Sequence, residues 1–123
     1  MSKKILVVED SAIMRSLVVS AVEEINGVET VEASNGYEAL KALPQHKFDA
    51  IITDINMPEM NGLELVRFVK SNDMYKKIPT FIISTDHRES DVKTGLALGA
   101  DWYFVKPILM EQLKDTVREF LGV

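Results

Sequence analysis

The chain has 123 residues, 46% of them hydrophobic and 27% charged, and this balance is typical of one globular domain with a full core. Its net charge of −5 at pH 7 argues against non-specific binding to nucleic acid or to an anionic membrane, because both need a basic face. The absence of cysteine excludes disulfides, thiol nucleophiles and cysteine metal sites.

The N-terminus leads directly into a strand pattern. Its apolar run, Ile5 to Val8, is too short for a signal peptide or a membrane span. We therefore expect a soluble, cytoplasmic protein that folds as a single domain over residues 1–123.

Short apolar runs alternate with amphipathic segments along the whole chain. The runs predict buried strands, and periodicity near 3.6 residues predicts helices between them. The predicted strands are 4–8, 28–33, 48–53, 80–84 and 102–105. The first predicted helix follows Ser11, its cap, and ends at Asn26–Gly27. The other predicted helices cover 37–43, 63–71, 89–98 and 110–121.

The apolar residues of the first helix predict which of its sides faces the core. Its stripe is expected to hold Ile13, Leu17, Ala21 and Ile25, with Met14 and Val18 widening it. Five strands that alternate with five helices predict an α/β fold with a parallel sheet. Right-handed crossovers with helices on both faces make that sheet doubly wound.

Asp54 ends the apolar run of the third predicted strand, and a loop broken by Pro58 and Gly62 follows it. In open α/β sheets, ligands and chemistry collect outside the carboxyl ends of the strands. Asp54 is therefore a candidate phosphoryl acceptor. The alternative is a solvated acid in a strand-to-helix loop.

Other polar residues stand at the ends of the neighbouring strands, namely Glu9 and Asp10, Ser84, and Lys106. Carboxylates gathered at one sheet edge repel by roughly 3 kcal/mol per pair at about 5 Å and an effective dielectric of about 20. A bound cation relieves that repulsion, and Mg²⁺ suits hard oxygen ligands beside phosphate. A metal-held carboxylate beside a lysine and a hydroxyl is what phosphoryl transfer requires.

In this order, these residues resemble the receiver domain of bacterial two-component response regulators over the whole chain. The likeness is strongest to the single-domain chemotaxis regulators of the CheY type. It rests on Glu9-Asp10, Ser11 to Arg15, Asp54 with Met57-Pro58 and Asn61-Gly62, Ser84, and Tyr103 before Lys106-Pro107. The resemblance implies a flavodoxin-like sheet of strand order 2-1-3-4-5.

The resemblance also implies the roles of the site residues. Asp54 would take a phosphoryl group from the phosphohistidine of a histidine kinase. Mg²⁺ would be held by Asp10, Asp54 and the backbone carbonyl of Asn56, with Glu9 acting mainly through water. Lys106 would pair with the phosphoryl oxygens.

Further roles concern the switch and the loops around the acceptor. The resemblance implies that Ser84 turns inward to the phosphoryl group and that Tyr103 moves from exposed to buried. It implies a cis peptide between Lys106 and Pro107, which supports the site. Met57, Pro58 and Gly62 would shape the loop after Asp54.

The sequence departs from the family pattern at three positions. Glu9 stands where many members have Asp, and Ser84 replaces the commoner Thr. Thr85 follows where a smaller residue is common, and its branched side chain is expected to narrow access to the site.

The implied function is a stand-alone response regulator of a two-component or chemotaxis phosphorelay. Phosphorylation would switch a partner-binding face made of the fourth helix, the fifth strand and the last helix. The protein would catalyse its own phosphorylation and dephosphorylation without being a conventional enzyme. The flagellar motor switch is the partner suggested, and the protein would be a monomer or a weak phosphorylation-dependent dimer. A phosphorelay shuttle or a phosphate sink is the alternative within the family.

Two other protein classes compete with this interpretation. Haloacid dehalogenase-type phosphatases also use a strand-end Asp and Mg²⁺, but they need a second acid two residues later, where this chain has Asn56. A flavin or dinucleotide carrier would need a glycine-rich loop after the first strand, where Glu9 and Asp10 would instead repel a phosphate.

Overall fold

The computed structural model describes residues 2–84 and 89–123. The strands are β1 Lys3–Val8, β2 Val28–Ala33, β3 Ala50–Asp54, β4 Thr80–Ser84 and β5 Trp102–Val105. The helices are α1 Ala12–Glu23, α2 Gly36–Ala42, α3 Gly62–Ser71, α4 Glu89–Ala97 and α5 Met110–Leu121, with a 3₁₀ turn at Leu43–Gln45. The predicted alternation of strands and helices is confirmed.

The five strands form one parallel sheet in the order β2-β1-β3-β4-β5, as predicted. The most polar strand, β2, lies at one edge, and the wholly buried β3 lies at the centre. The register pairs Val8 with Thr53 and Asp54 with Ile83. The carboxyl ends of β1, β3 and β4 therefore lie side by side.

Several element boundaries differ from the prediction. The strand β3 begins at Ala50 rather than Phe48, because Asp49 turns its side chain to the Lys4 amide at 2.9 Å. The strand also continues to Asp54 itself. Pro44 does not stop the second helix abruptly, since a 3₁₀ turn that contains it follows α2.

The predicted core stripe of α1 was wrong at its N-terminal end. Ile13 is 79% exposed and Leu17 is 49% exposed, whereas Val18 and Val22 are buried. The side of α1 that faces the sheet is thus rotated from the stripe that began at Ile13. The apolar side chains near the start of this helix face outward, close to the carboxyl ends of the strands.

The sheet separates the core into layers. One face packs against α1 and α5, and the other packs against α2 and α3. A third cluster joins α3 and the turn after α4 to the sheet and is formed by Ile55, Val66, Ile82 and Ala100. Within residues 2–84 and 89–123, no helix is long and apolar enough to cross a membrane. The packing on both faces leaves the carboxyl edge of the sheet for the polar residues.

Candidate functional site

Asp54 is the last residue of the central strand and is only 5% exposed. Four apolar or hydroxyl residues precede it in β3, all buried, so the strand fixes the position of its carboxylate. Its Oδ1 lies 3.4 Å from the Asn56 amide nitrogen, which is a long hydrogen bond. The carboxylate is therefore held in place, but the donors of the described residues do not fully satisfy it.

Three carboxylates meet at this edge, as predicted. Oxygen atoms of Glu9, Asp10 and Asp54 all lie within 4.8 Å of one another. Glu9 and Asp54 are buried, while Asp10 is exposed. Loss of solvation, together with a hydrogen bond and the charge of Glu9, raises the pKa of Asp10. Hard oxygen donors at this spacing, one of them open to solvent, fit a small divalent cation such as Mg²⁺.

Lys106 brings a positive charge to the carboxylates from the end of β5. Its Nζ donates to Glu9 Oε1 at 3.0 Å and lies 3.5 Å from Asp54 Oδ2. Burial opposes the charged ammonium, but the hydrogen bond to Glu9 and the charge of Asp54 outweigh it, so the pKa of Lys106 is raised. The peptide between Lys106 and Pro107 is cis, as the resemblance implied.

Glu9 and the start of α1 are joined by hydrogen bonds. The Ser11 amide donates to Glu9 Oε2 at 3.0 Å. The Ser11 hydroxyl accepts from the Met14 amide at 3.2 Å, which confirms Ser11 as the N-cap. Both oxygens of the Glu9 carboxylate thus have a donor, one from Lys106 and one from Ser11.

Ser84 and Tyr103 lie on the two strands at the other side of the sheet. Ser84 is fully buried, and its carbonyl accepts from the Lys106 amide at 2.7 Å. Tyr103 pairs with Ile82 and packs, half-buried, against the third core cluster. The register places Ser84 one residue beyond the partner of Asp54. Thr85, expected to narrow the site, lies outside the described residues.

The loop after Asp54 is anchored at both ends. Met57 is buried in the core, and the amides of Met57 and Gly62 both donate to the Ile55 carbonyl, at 3.0 and 2.9 Å. Pro58 is exposed at the outer part of the loop. Asn61 caps α3 through its side chain, which accepts from the Glu64 amide at 3.0 Å.

Arg15 makes a contact at this site that the sequence analysis did not predict. Its Nη1 donates to the Glu9 carbonyl at 2.7 Å, and its Nε donates to Glu32 Oε1 at 3.0 Å. The guanidinium thus ties the first turn of α1 to the peptide that carries the acidic pair. A basic residue one helical turn after the cap was the only signal for this contact.

Comparison with known proteins agrees with this geometry. Residues 5–118 match the response regulator receiver domain family, and the chain belongs to that family. It is 38% identical over 120 residues to the chemotaxis protein CheY1 of Helicobacter pylori, covering 97% of each chain. It is 31% identical over 122 residues to the polar-differentiation response regulator DivK of Brucella anthropi, covering 99% of this chain and 98% of DivK.

A solved structure gives the same result for the fold. The chemotaxis response regulator CheY4 of Vibrio cholerae has a TM-score of 0.89 and 34% sequence identity to this chain, and the alignment covers 98% and 99% of the two chains. The chain is thus a CheY-like receiver, and receivers of this family are not conventional enzymes. Its relatives include chemotaxis proteins and a response regulator of polar differentiation.

Proposed function

We propose that this protein is a phosphorylation switch in which Asp54 accepts a phosphoryl group from a histidine kinase. The observation that carries the proposal is the meeting of three carboxylates and one ammonium at the end of the central strand. Asp54 is a nucleophile held by a buried strand. Lys106 stands close enough to neutralise an oxygen of a group bound there.

Mg²⁺ is the cofactor that fits the site. Asp10, Asp54 and the backbone carbonyl of Asn56 would hold the ion, with Glu9 acting through water. When bound, the ion would neutralise charge on the transferring oxygens. Asp10 suits this role because it is exposed. Loss of solvation, with the hydrogen bond and the charge of Glu9, raises its pKa.

The site itself would promote both gain and loss of the phosphoryl group. Asp54 Oδ attacks phosphorus, the bond from phosphorus to the donor nitrogen breaks, and the donor histidine keeps that electron pair. Lys106 balances the charge that remains on the acceptor. Loss of the group follows when water attacks the same phosphorus in line with the bond to Asp54. That bond breaks, Asp54 leaves as a carboxylate, and inorganic phosphate departs with the protons of the water.

The surface beside the acceptor supports docking of the donor protein. A groove of about 400 Å³ is lined by Lys106, Pro107 and apolar residues of α1 and the start of α5. Ile13, Leu17 and Leu109 stand exposed around it, at 79%, 49% and 74%. An apolar surface that reaches the site's lysine suits a helix of the kinase that presents its phosphohistidine to Asp54.

Ile13→Glu is expected to slow phosphoryl transfer from the cognate kinase by about tenfold, the effect of losing one apolar contact in an interface. Labelling by a small phosphodonor such as acetyl phosphate should not change, because Ile13 is neither a member of the acidic cluster nor the lysine beside it. Met74→Glu is the matched control, since Met74 is also 79% exposed but lies in the loop after α3. Equal slowing by both variants, or slowing with the small donor, would contradict donor docking here.

The output surface that we propose consists of α4, β5 and α5. Leu96, Trp102, Val105 and Phe120 are exposed there at 39% to 46%. Phosphate on Asp54 would turn Ser84 toward the phosphoryl group, draw Tyr103 inward and change the affinity of this face for a partner. A ligand moves such an equilibrium only if it distinguishes the two states.

The function is tested by partner capture from a cell extract, with and without Mg²⁺ and beryllofluoride as a mimic of the phosphoryl group. A motor-switch protein caught only with the mimic would support a chemotaxis output. Capture of a different protein only with the mimic would support the switch but indicate a pathway other than chemotaxis. Identical binding partners in both states would contradict gating and favour a relay shuttle or a phosphate sink.

Lys106→Ala is expected to separate phosphorylation from switching. The variant should still take label on Asp54, because the nucleophile and the cation ligands remain. It should lose most of the mimic-dependent gain in partner affinity, about tenfold or more, because a charge-assisted contact to the phosphoryl group is gone. Binding titrations of wild type and variant with the captured partner measure this loss. A variant with the full gain would refute the role of Lys106.

A further inference from the structure

The acidic cluster divides into two parts when its hydrogen bonds are followed. Glu9 is 4% exposed, and its two carboxylate oxygens accept from Lys106 Nζ and the Ser11 amide, both at 3.0 Å. Within residues 2–84 and 89–123, the contacts of Asp54 are longer, at 3.4 Å to the Asn56 amide and 3.5 Å to Lys106. Glu9 is therefore the satisfied carboxylate of the cluster, and Lys106 is nearer to Glu9 than to Asp54.

We propose that Glu9 is a positioning residue for Lys106, whose ammonium it holds beside Asp54 while Asp10 and Asp54 remain to bind the divalent cation. This inference rests on the proposed function only in naming the cation as Mg²⁺. It assigns Glu9 a role beyond contact with the metal's water shell, because its carboxylate acts through Lys106.

The length of the Glu9 side chain matters for this role. One carboxylate oxygen accepts from Lys106, just after β5, and the other accepts from the Ser11 amide before α1. An Asp at this position is shorter by one methylene and could not keep both contacts with the backbone unchanged. The pair of Glu9 and Lys106 is neutral overall, so the charge left for the cation comes from Asp10 and Asp54.

Glu9→Gln should therefore act on the cation indirectly. Without the Glu9 charge, the ammonium pairs with Asp54 and competes with Mg²⁺, so we expect about a tenfold loss of Mg²⁺ affinity. Adding Lys106→Met removes the competitor and should return the affinity to within about threefold of wild type. Isothermal titration calorimetry of Mg²⁺ binding measures both effects without phosphorylation.

Asp10→Asn supplies the matched comparison, because it removes one carboxylate charge from the same cluster. Asp10 is proposed to contact the cation directly, so its loss should cost more than about tenfold in affinity, and Lys106→Met should not restore it. Lys114→Met is the control for the lysine. Lys114 also bridges two carboxylates, Glu24 at 3.1 Å and Glu111 at 2.9 Å, but it ties α1 to α5 away from the site. This control should leave the affinity unchanged.

A second readout observes the pairing itself. In the NMR spectrum of labelled wild type, the Lys106 Nζ should show a scalar coupling across its hydrogen bond to Glu9 Cδ, and Glu9→Gln should abolish it. Absence of that coupling, equal rescue of Glu9→Gln and Asp10→Asn by Lys106→Met, or rescue of neither would overturn the inference. Observation of the coupling in a protein that binds no Mg²⁺ would instead overturn the proposed cation site and leave the pairing intact.

Discussion

Asp54→Asn is expected to abolish phosphorylation. With Mg²⁺ and a small-molecule phosphodonor, wild type should gain one acid-labile phosphoryl group and the variant none, a difference of about 100-fold or more in label. The amide cannot form the acyl phosphate, although it keeps the size of the carboxylate and its place at the end of β3. Intact-mass measurement after incubation with acetyl phosphate reads the result directly.

The control for this loss is Asp115→Asn, which removes one charge from the exposed side of α5. That variant should be labelled as wild type is, because α5 holds Asp115 away from the carboxyl ends of the strands. Equal labelling of wild type and Asp54→Asn would end the acceptor hypothesis. Loss of label in both variants would mean that net charge, and not Asp54, governs the reaction.

The second large effect is expected for Gly62→Ala. A Cβ at Gly62 would overlap the Asp54 carbonyl oxygen and lie 2.8 Å from the carbonyl carbon and 2.9 Å from the Ile55 Cα. These are backbone atoms, so the chain that carries the acceptor must move. We expect a loss of about 3 kcal/mol in the free energy of unfolding, measured by urea denaturation, and weaker Mg²⁺ binding.

Gly36→Ala is a close control for this substitution. Gly36 and Gly62 are each the first residue of a helix, and each follows a capping Asn, Asn35 and Asn61. A Cβ at Gly36 would meet the Sδ, Cγ and Cβ of Met60 at 2.7, 2.8 and 2.9 Å. The Sδ and Cγ can rotate away, so only the Met60 Cβ requires the loop backbone to shift. The cost should therefore be smaller than at Gly62, about 1 kcal/mol, with a smaller effect on Mg²⁺ binding. Equal costs at the two positions would show that close approach to Asp54 is not the cause.

Sequence reasoning could predict where the reactive groups gather because Glu9, Asp54 and Lys106 each stand at the end of a predicted strand. A run such as Ile5 to Val8 has few alternatives to a central strand, so its end at Glu9 is defined within about a residue. The parallel sheet then brings the ends together. This argument needs no side-chain geometry, which is why the gathering of acids at one edge was predictable.

The wrong and missing predictions concern contacts that hydrophobic periodicity and residue spacing do not determine. The apolar residues of α1 form a band wide enough to be centred on Ile13 or on Val18, and only packing against the sheet decides between them. The contact of Lys106 with Glu9 depends on side-chain reach across two strands. The close approach of Gly62 to Asp54 depends on the path of a loop. None of these features produces a periodic pattern in the sequence.

Trp102 is the only tryptophan of the chain, and it lies at the beginning of β5, 46% exposed and edge-on to Phe120 at 6.3 Å. Lys106 follows four residues later, about 13 Å away along an extended strand. The indole therefore sits too far from the acidic cluster for a bound ion to quench it by contact. Its emission is a label-free optical probe of the output surface, so a spectral change on adding Mg²⁺ and beryllofluoride would record a rearrangement carried the length of the strand.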